Sequence, residues 1–131
     1  MQIELASLVS FCNPVFLYVE AGNLETLRER VAEANSSEGA IPYSAMVPIQ
    51  KHEQYNHFAR IKWLMENGWQ EPISIEVGIP SLGFVPEWMI DDGNHRTAAA
   101  MLMGRETIEV EFSGSVAYFE ELFKPEKSNI G

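Results

Sequence analysis

One stretch constrains this chain more than any other: Met89-Ile90-Asp91-Asp92-Gly93-Asn94-His95-Arg96-Thr97-Ala98-Ala99-Ala100. An apolar run, Trp88 to Ile90, meets two carboxylates and a glycine. A His–Arg pair follows, then an alanine-rich segment of high helix propensity. The order reads as strand, tight turn, helix N-terminus. The first N–H groups of a helix have no partner inside it, and the helix dipole favours negative charge there. With a glycine in the turn and a cation beside it, such an end can seat a phosphate. Gly93 tolerates φ > 0 and lets the backbone come close to a ligand. Arg96 offers a two-pronged fork to phosphate oxygens. His95 offers a donor that titrates near physiological pH, and Thr97, one residue beyond the fork, is a further candidate phosphate-binding residue. The same residues also read as a plain capped helix, with Asp92 as N-cap and His95 and Arg96 on the surface. The local pattern does not choose between the two.

The remaining chain has to supply a frame for that turn. Residues 1–19 alternate in part through Ile3, Leu5, Leu8, Val9, Phe11, Val15, Leu17 and Val19, which predicts one or two short strands broken at Asn13-Pro14. Asn23 then opens a helix over residues 23–35, with Leu24, Leu27, Val31 and Ala34 on one face and charged residues on the other. Two prolines make residues 41–53 an extended or looping segment. A second helix is expected over residues 54–67, carrying Phe58, Ile61, Leu64 and Met65 inward and ending at Gly68. His57 on it reads as a surface or half-buried residue. Ile73 to Val77 alternates as a half-buried strand, and Phe84 to Ile90 reads as the next, irregular at Pro86. The helix after the turn runs to about Met103 and stops at Gly104. Residues 107–112 alternate as a last strand, residues 116–123 form a short helix with Val116, Phe119 and Phe123 inward, and residues 124–131 are a tail. This is the pattern of a small α+β (mixed) domain, a curved short-stranded sheet flanked by helices.

Length and charge bound the rest. A chain of 131 residues is expected to be a single domain, 1–131. Its formal charge of −10 makes duplex DNA a poor partner, since a surface of that sign repels a phosphate backbone at long range. A local basic pocket for a small anion is compatible with that charge, and Lys51, Arg60 and Lys62 lie close together in sequence. The single Cys12 rules out an internal disulfide and reads as a buried, inert thiol. No apolar run reaches the ~18 residues that a membrane span needs. The apolar stretch from Leu8 to Val19 is interrupted by Asn13-Pro14 and has no basic segment ahead of it, so it does not read as a signal peptide. A cytoplasmic protein is the expectation.

Two further groups could join the turn in chemistry. Asp91 and Asp92 beside a phosphate seat are unfavourable without a cation, which points to Mg²⁺ bridging a carboxylate and the phosphates. Alternatively one caps the helix and the other is a general base. Glu53, just ahead of the helix at 54–67, either complements that helix's dipole or acts as a base.

The order of "IPYSAMVPIQKHE", a helix, "NGWQEPISIEV" and "MIDDGNHRTAAAMLMGRETIEVEF" resembles the ParB/sulfiredoxin superfamily over residues 41–112, with residues 1–40 outside the resemblance. Sulfiredoxins carry a reactive cysteine in this turn. Asn94 stands there, so sulfiredoxin activity is not expected. Chromosome-partitioning ParB proteins bind CTP through a turn with paired arginines and carry a DNA-binding domain, neither of which this chain has room or residues for. The turn Asp92-Gly93-Asn94-His95-Arg96 is most similar to the D-G-x-H-R turn of the ADP-dependent free-serine kinases of this superfamily. That resemblance implies that Gly93, Asn94, His95 and Arg96 hold nucleotide phosphates, with ATP, ADP or CTP as ligand. It implies Asp92 at the transferred phosphoryl group or its Mg²⁺ and Glu53 as the base, with His95 a further catalytic candidate. The expected function is a nucleotide- or phosphate-ligand-binding protein running, if catalytic, phosphoryl transfer or nucleotide hydrolysis. Two alternatives stand beside it: a non-enzymatic protein-interaction or inhibitor module of a mobile element, and a ParB-like nuclease.

Overall fold

The computed structural model describes residues 1–43 and 55–123, so Lys51, His52 and Glu53 lie outside the described residues, as do most of the proline-containing lead-in and the tail at 124–131. The described chain is α+β. Its sheet has four strands in the order β1-β4-β2-β3, with β1 at Gln2–Glu4, β2 at Ile73–Glu76, β3 at Ile90–Asp92 and β4 at Thr107–Ser113. β4 is antiparallel to β1, placing Ile3 opposite Ile108, and parallel to β2, placing Ile73 opposite Val110. β3 closes the other edge antiparallel to β2, with Ile75 opposite Ile90 and a register irregularity at Ser74/Ile75. Parallel strands cannot be joined by a hairpin. The β2-to-β4 connection therefore travels through β3 and the helix α4, Asn94–Leu102, and this crossover carries the turn at Gly93.

Two apolar clusters share α4. On the sheet side, Ile73, Ile75, Val77, Ile90, Ile108 and Val110 pack with Leu5, Leu8 and Cys12 of the N-terminal segment and with Phe119 and Phe123 of α5 (Val116–Phe123). On the other side Leu27 and Val31 of α2 (Leu24–Glu33) pack with Ile61 and Leu64 of α3 (His57–Asn67). α4 gives Ala100 to the first cluster and Ala98, Ala99 and Leu102 to the second. Three consecutive fully buried alanines let the helix sit between two layers without holding them apart. Burying an aliphatic side chain is worth about 1.5–3 kcal/mol, so each cluster by itself outweighs any surface ion pair of the chain.

The N-terminal segment departs from the expected strands. Only Gln2–Glu4 is extended, Leu5–Phe11 is the helix α1, and Pro14–Leu17 is a 3₁₀ turn whose Val15 N–H donates to the Asn13 side chain. Leu5, Leu8 and Cys12 are buried while Phe11 and Leu17 are half-exposed. The burial follows i, i+3, i+7, the helical period, which the partial alternation had masked. Phe84 to Met89 is likewise not a strand. Phe84 makes one isolated bridge to Ile79, and pairing resumes at Ile90. Pro86 has no N–H for a ladder, which limits pairing there. α3 begins at His57, where Asn56 caps it, rather than at residue 54. In α5 Phe119 and Phe123 face inward, but Val116 is 61% exposed. Among the described residues no helix is long and apolar enough to cross a membrane.

Candidate functional site

Gly93 is the N-cap of α4, at φ 118°. A Cβ at this position would come within 2.4 Å of Ile73 Cγ2, so the turn lies directly on β2 and only glycine fits. The Gly93 carbonyl accepts from both the backbone N–H and the hydroxyl of Thr97, each at 2.8 Å. Thr97 is fully buried and holds the turn from within, which places it behind the site rather than on its surface. No side chain caps α4. Asp92 is the last residue of β3 and not the cap. Its carboxylate is 3.2 Å from Arg96 Nη2.

The turn opens on a cleft of about 420 Å³ between the N-terminus of α4 and the flank of α3. Gly93, His95, Arg96 and Asp92 line it from the α4 end, Arg60, Trp63 and Leu64 from α3, and Trp69 and Glu71 complete its wall. Both arginines are anchored. Arg96 Nη1 donates to the carbonyls of Glu71 at 3.0 Å and Pro72 at 3.2 Å. Arg60 Nη1 donates to the carbonyls of Gly39 and Ala40, and its guanidinium lies 4.9 Å from the Trp63 ring centre. Anchoring removes much of the rotamer freedom that a loose arginine would lose on gripping a ligand. The two cations also feel one another. Burial is the first cause that lowers the Arg60 pKa, and the charge on Arg96 also lowers it, while the neighbouring Tyr55 raises it.

Behind the cleft, His95 meets His57. His95 Nε2 and His57 Nδ1 are 2.7 Å apart, with the ring planes within 12° of each other and the centroids 5.0 Å apart. A contact that short joins the rings through their edges along one N–H···N line. Tyr18 stacks on His95 at 5.2 Å, and Tyr43 and Tyr55 surround the pair at 5.0–6.2 Å. Burial, and then the charges of His57, Arg60 and Arg96, push His95 down to about 3. Burial also lowers His57 and raises the Tyr18 phenol, so at neutral pH both imidazoles are neutral and one hydrogen lies between them.

The expected site residues therefore scatter around the turn. Gly93, His95, Arg96 and Asp92 share the cleft. Asn94 does not line it, because its side-chain oxygen accepts from the Trp88 indole N–H at 2.9 Å. Asp91 and Asp92 are successive strand residues, whose side chains point to opposite faces, and only Asp92 lines the cleft. Among the described residues no three His, Cys, Asp or Glu side chains gather as a metal site. Glu53 lies outside the described residues. Tyr18, Tyr43, Tyr55, Trp63 and Trp69 are not among the residues the sequence points to, and His57 reads from sequence as a surface or half-buried residue. Their one sequence signal is that His57 and His95 each fall in the first turn of a helix. The buried Cys12 fits its reading as an inert thiol, since burial raises its pKa above the ordinary value.

No family model, no curated protein and no solved structure matches the chain.

Proposed function

We propose that this chain binds a nucleotide, or another phosphorylated small molecule, in the cleft at the N-terminus of α4, and does so in the cytoplasm. The observation that carries the reading is the convergence of an uncapped helix N-terminus with two anchored guanidiniums, Arg60 and Arg96, on one cleft of about 420 Å³. Phosphate oxygens would take the first N–H groups of α4 and the free edges of both guanidiniums. The indoles of Trp63 and Trp69 in the cleft wall offer apolar faces to a base or sugar. The resemblance of residues 41–112 to the ParB/sulfiredoxin superfamily supports the same site.

The donor set suits Mg²⁺ only in one form. Of the two carboxylates that line the cleft, Asp92 already faces a guanidinium while Glu71 stands in the wall, and Asp91 does not line it. Mg²⁺ is commonly held by one or two carboxylates together with substrate phosphates, so a metal would arrive on the nucleotide and share Asp92 with it. Bound so, it would neutralise phosphate charge during phosphoryl transfer or nucleotide hydrolysis. Arg60 and Arg96 would orient the phosphates, and Thr97 and Ile73 would hold the turn rigid.

Calorimetric titration with ATP, ADP and CTP, each with and without Mg²⁺, tests the reading. Binding of at least one nucleotide is expected, weakened tenfold or more in Arg60→Gln. Absence of binding for all three at millimolar concentration overturns it.

A further inference from the structure

We propose that the His57–His95 pair is the proton-accepting part of the cleft: when an oxyanion enters, the pair takes up one proton and faces the anion as a single shared cation. The inference rests on the proposed phosphate site and adds that binding of an oxyanion there is linked to proton uptake.

The geometry gives the first reason. The two nitrogens point at each other at 2.7 Å through nearly coplanar ring edges, so one hydrogen already occupies the line between them. A second proton can be added only at an outer nitrogen. Once it arrives, the inner N–H···N bond becomes charge-assisted, which strengthens it. The second imidazole then solvates the first. The two sites titrate as one unit.

The surroundings give the second reason. The rings that touch the pair are those of Tyr18, Tyr43 and Tyr55, and burial raises the phenol pKa of Tyr18 and of Tyr55. On the cleft side stand Arg60 and Arg96, with Asp92 on Arg96 and Glu71 in the wall. A third positive charge beside two guanidiniums is unfavourable while the cleft holds only solvent. An oxyanion among these groups reverses the local field. An opposite charge within ~4–6 Å raises a histidine's pKa, commonly by one to three units. His57 also lines a separate cavity of about 370 Å³ with Glu38, Tyr55 and Asn56. A proton can reach the pair from that side without crossing the anion, and it comes to rest as N–H on the pair with no bond to the ligand broken.

Sulfate is the decisive probe, because it carries no titratable proton near neutral pH. Calorimetry between pH 7 and pH 5 in two buffers of different ionisation enthalpy should show proton uptake rising toward one per sulfate bound as the pH falls. The association constant should fall by up to tenfold per unit of rising pH. His95→Gln should bind sulfate more weakly, with a flat pH profile and no uptake. In ¹⁵N spectra of the free protein at pH 5 the His95 ring should be neutral, and sulfate should move it toward imidazolium. Sulfate binding without proton uptake overturns the inference and leaves the phosphate site standing. So does an unchanged pH slope in both His57→Gln and His95→Gln. No binding of sulfate, inorganic phosphate or ADP overturns both.

Discussion

The N-termini of α3 and α4 meet through His57 and His95, and they are finished in opposite ways. At α3 the Asn56 side chain turns back to accept from the Ala59 N–H at 3.0 Å, and its amide donates to Glu38 at 3.2 Å. That end is satisfied from within the chain. At α4 the residue in the same place is Gly93, which has nothing to turn back. Asn94 stands one residue away with a side chain able to cap, yet it is spent on Trp88. Asn13, Asn23 and Asn35 cap their turns as Asn56 does. The difference separates two uses of one backbone feature. A capped N-terminus contributes about 1 kcal/mol to folding. An uncapped one beside two anchored cations leaves its donors for a ligand.

The sharpest way to break this comparison is to give α4 a side chain at its cap. Gly93→Ala puts a Cβ against Ile73 at a positive φ, and should cost about 2–4 kcal/mol in urea denaturation. A loss below about 1 kcal/mol would mean that the close approach to β2 does not dictate the glycine.

Next comes pH. His95 is held near 3 in the folded chain against an ordinary value of 6.5, so between those values the unfolded chain binds the extra proton. Stability is then full above about pH 6.5 and is lost as pH falls toward 3, by about 2 kcal/mol between pH 7 and pH 5. His57, also lowered by burial, acts in the same direction. Denaturation curves at the two pH values should differ by that amount in the native chain and by clearly less in His95→Gln.

The smallest effect compares the two asparagines directly. Asn56→Ala should cost about 1 kcal/mol of stability through the lost cap. Asn94→Ala should cost about as much through the lost indole bond, and should leave nucleotide affinity within about twofold. A large affinity loss in Asn94→Ala would put that side chain on the ligand after all.

Much of this frame was legible in the sequence, for reasons that differ by element. The periodicities of α2 and β4 and the glycine stops at Gly68 and Gly104 are local signals, and the structure follows them. The strand–glycine–helix order at Gly93 was legible for the same reason. What the glycine is for was not, because Ile73 stands twenty residues away and the requirement is a tertiary contact. The N-terminal helix α1 was hidden because Phe11 and Leu17 are apolar yet exposed, which made a helical stripe look like broken alternation. The aromatic wall around His95 was beyond reach altogether. Tyr18, Tyr43 and Tyr55 come from segments with no fixed spacing, and only packing brings them to two histidines on different helices. Arg96 was seen as a ligand fork, and it is also a strut to the loop before β2, a role set by carbonyls at Glu71 and Pro72 that no residue type announces.

The sheet order has a consequence for how the chain comes together. β4 is a central strand, and its neighbour β1 pairs with it from more than a hundred residues earlier, Gln2 against Glu109. A ribosome would release β1 and α1 long before the strand they need exists. The layer of α2, α3 and α4 can collapse around Ala98 and Ala99 first, and the sheet can close only when β4 emerges. Closing so large a loop is slow, since the entropy lost in bringing its ends together precedes the reward. Until that moment Leu5 and Leu8 have no sheet to cover, and the nascent chain displays an apolar face that a chaperone would recognise.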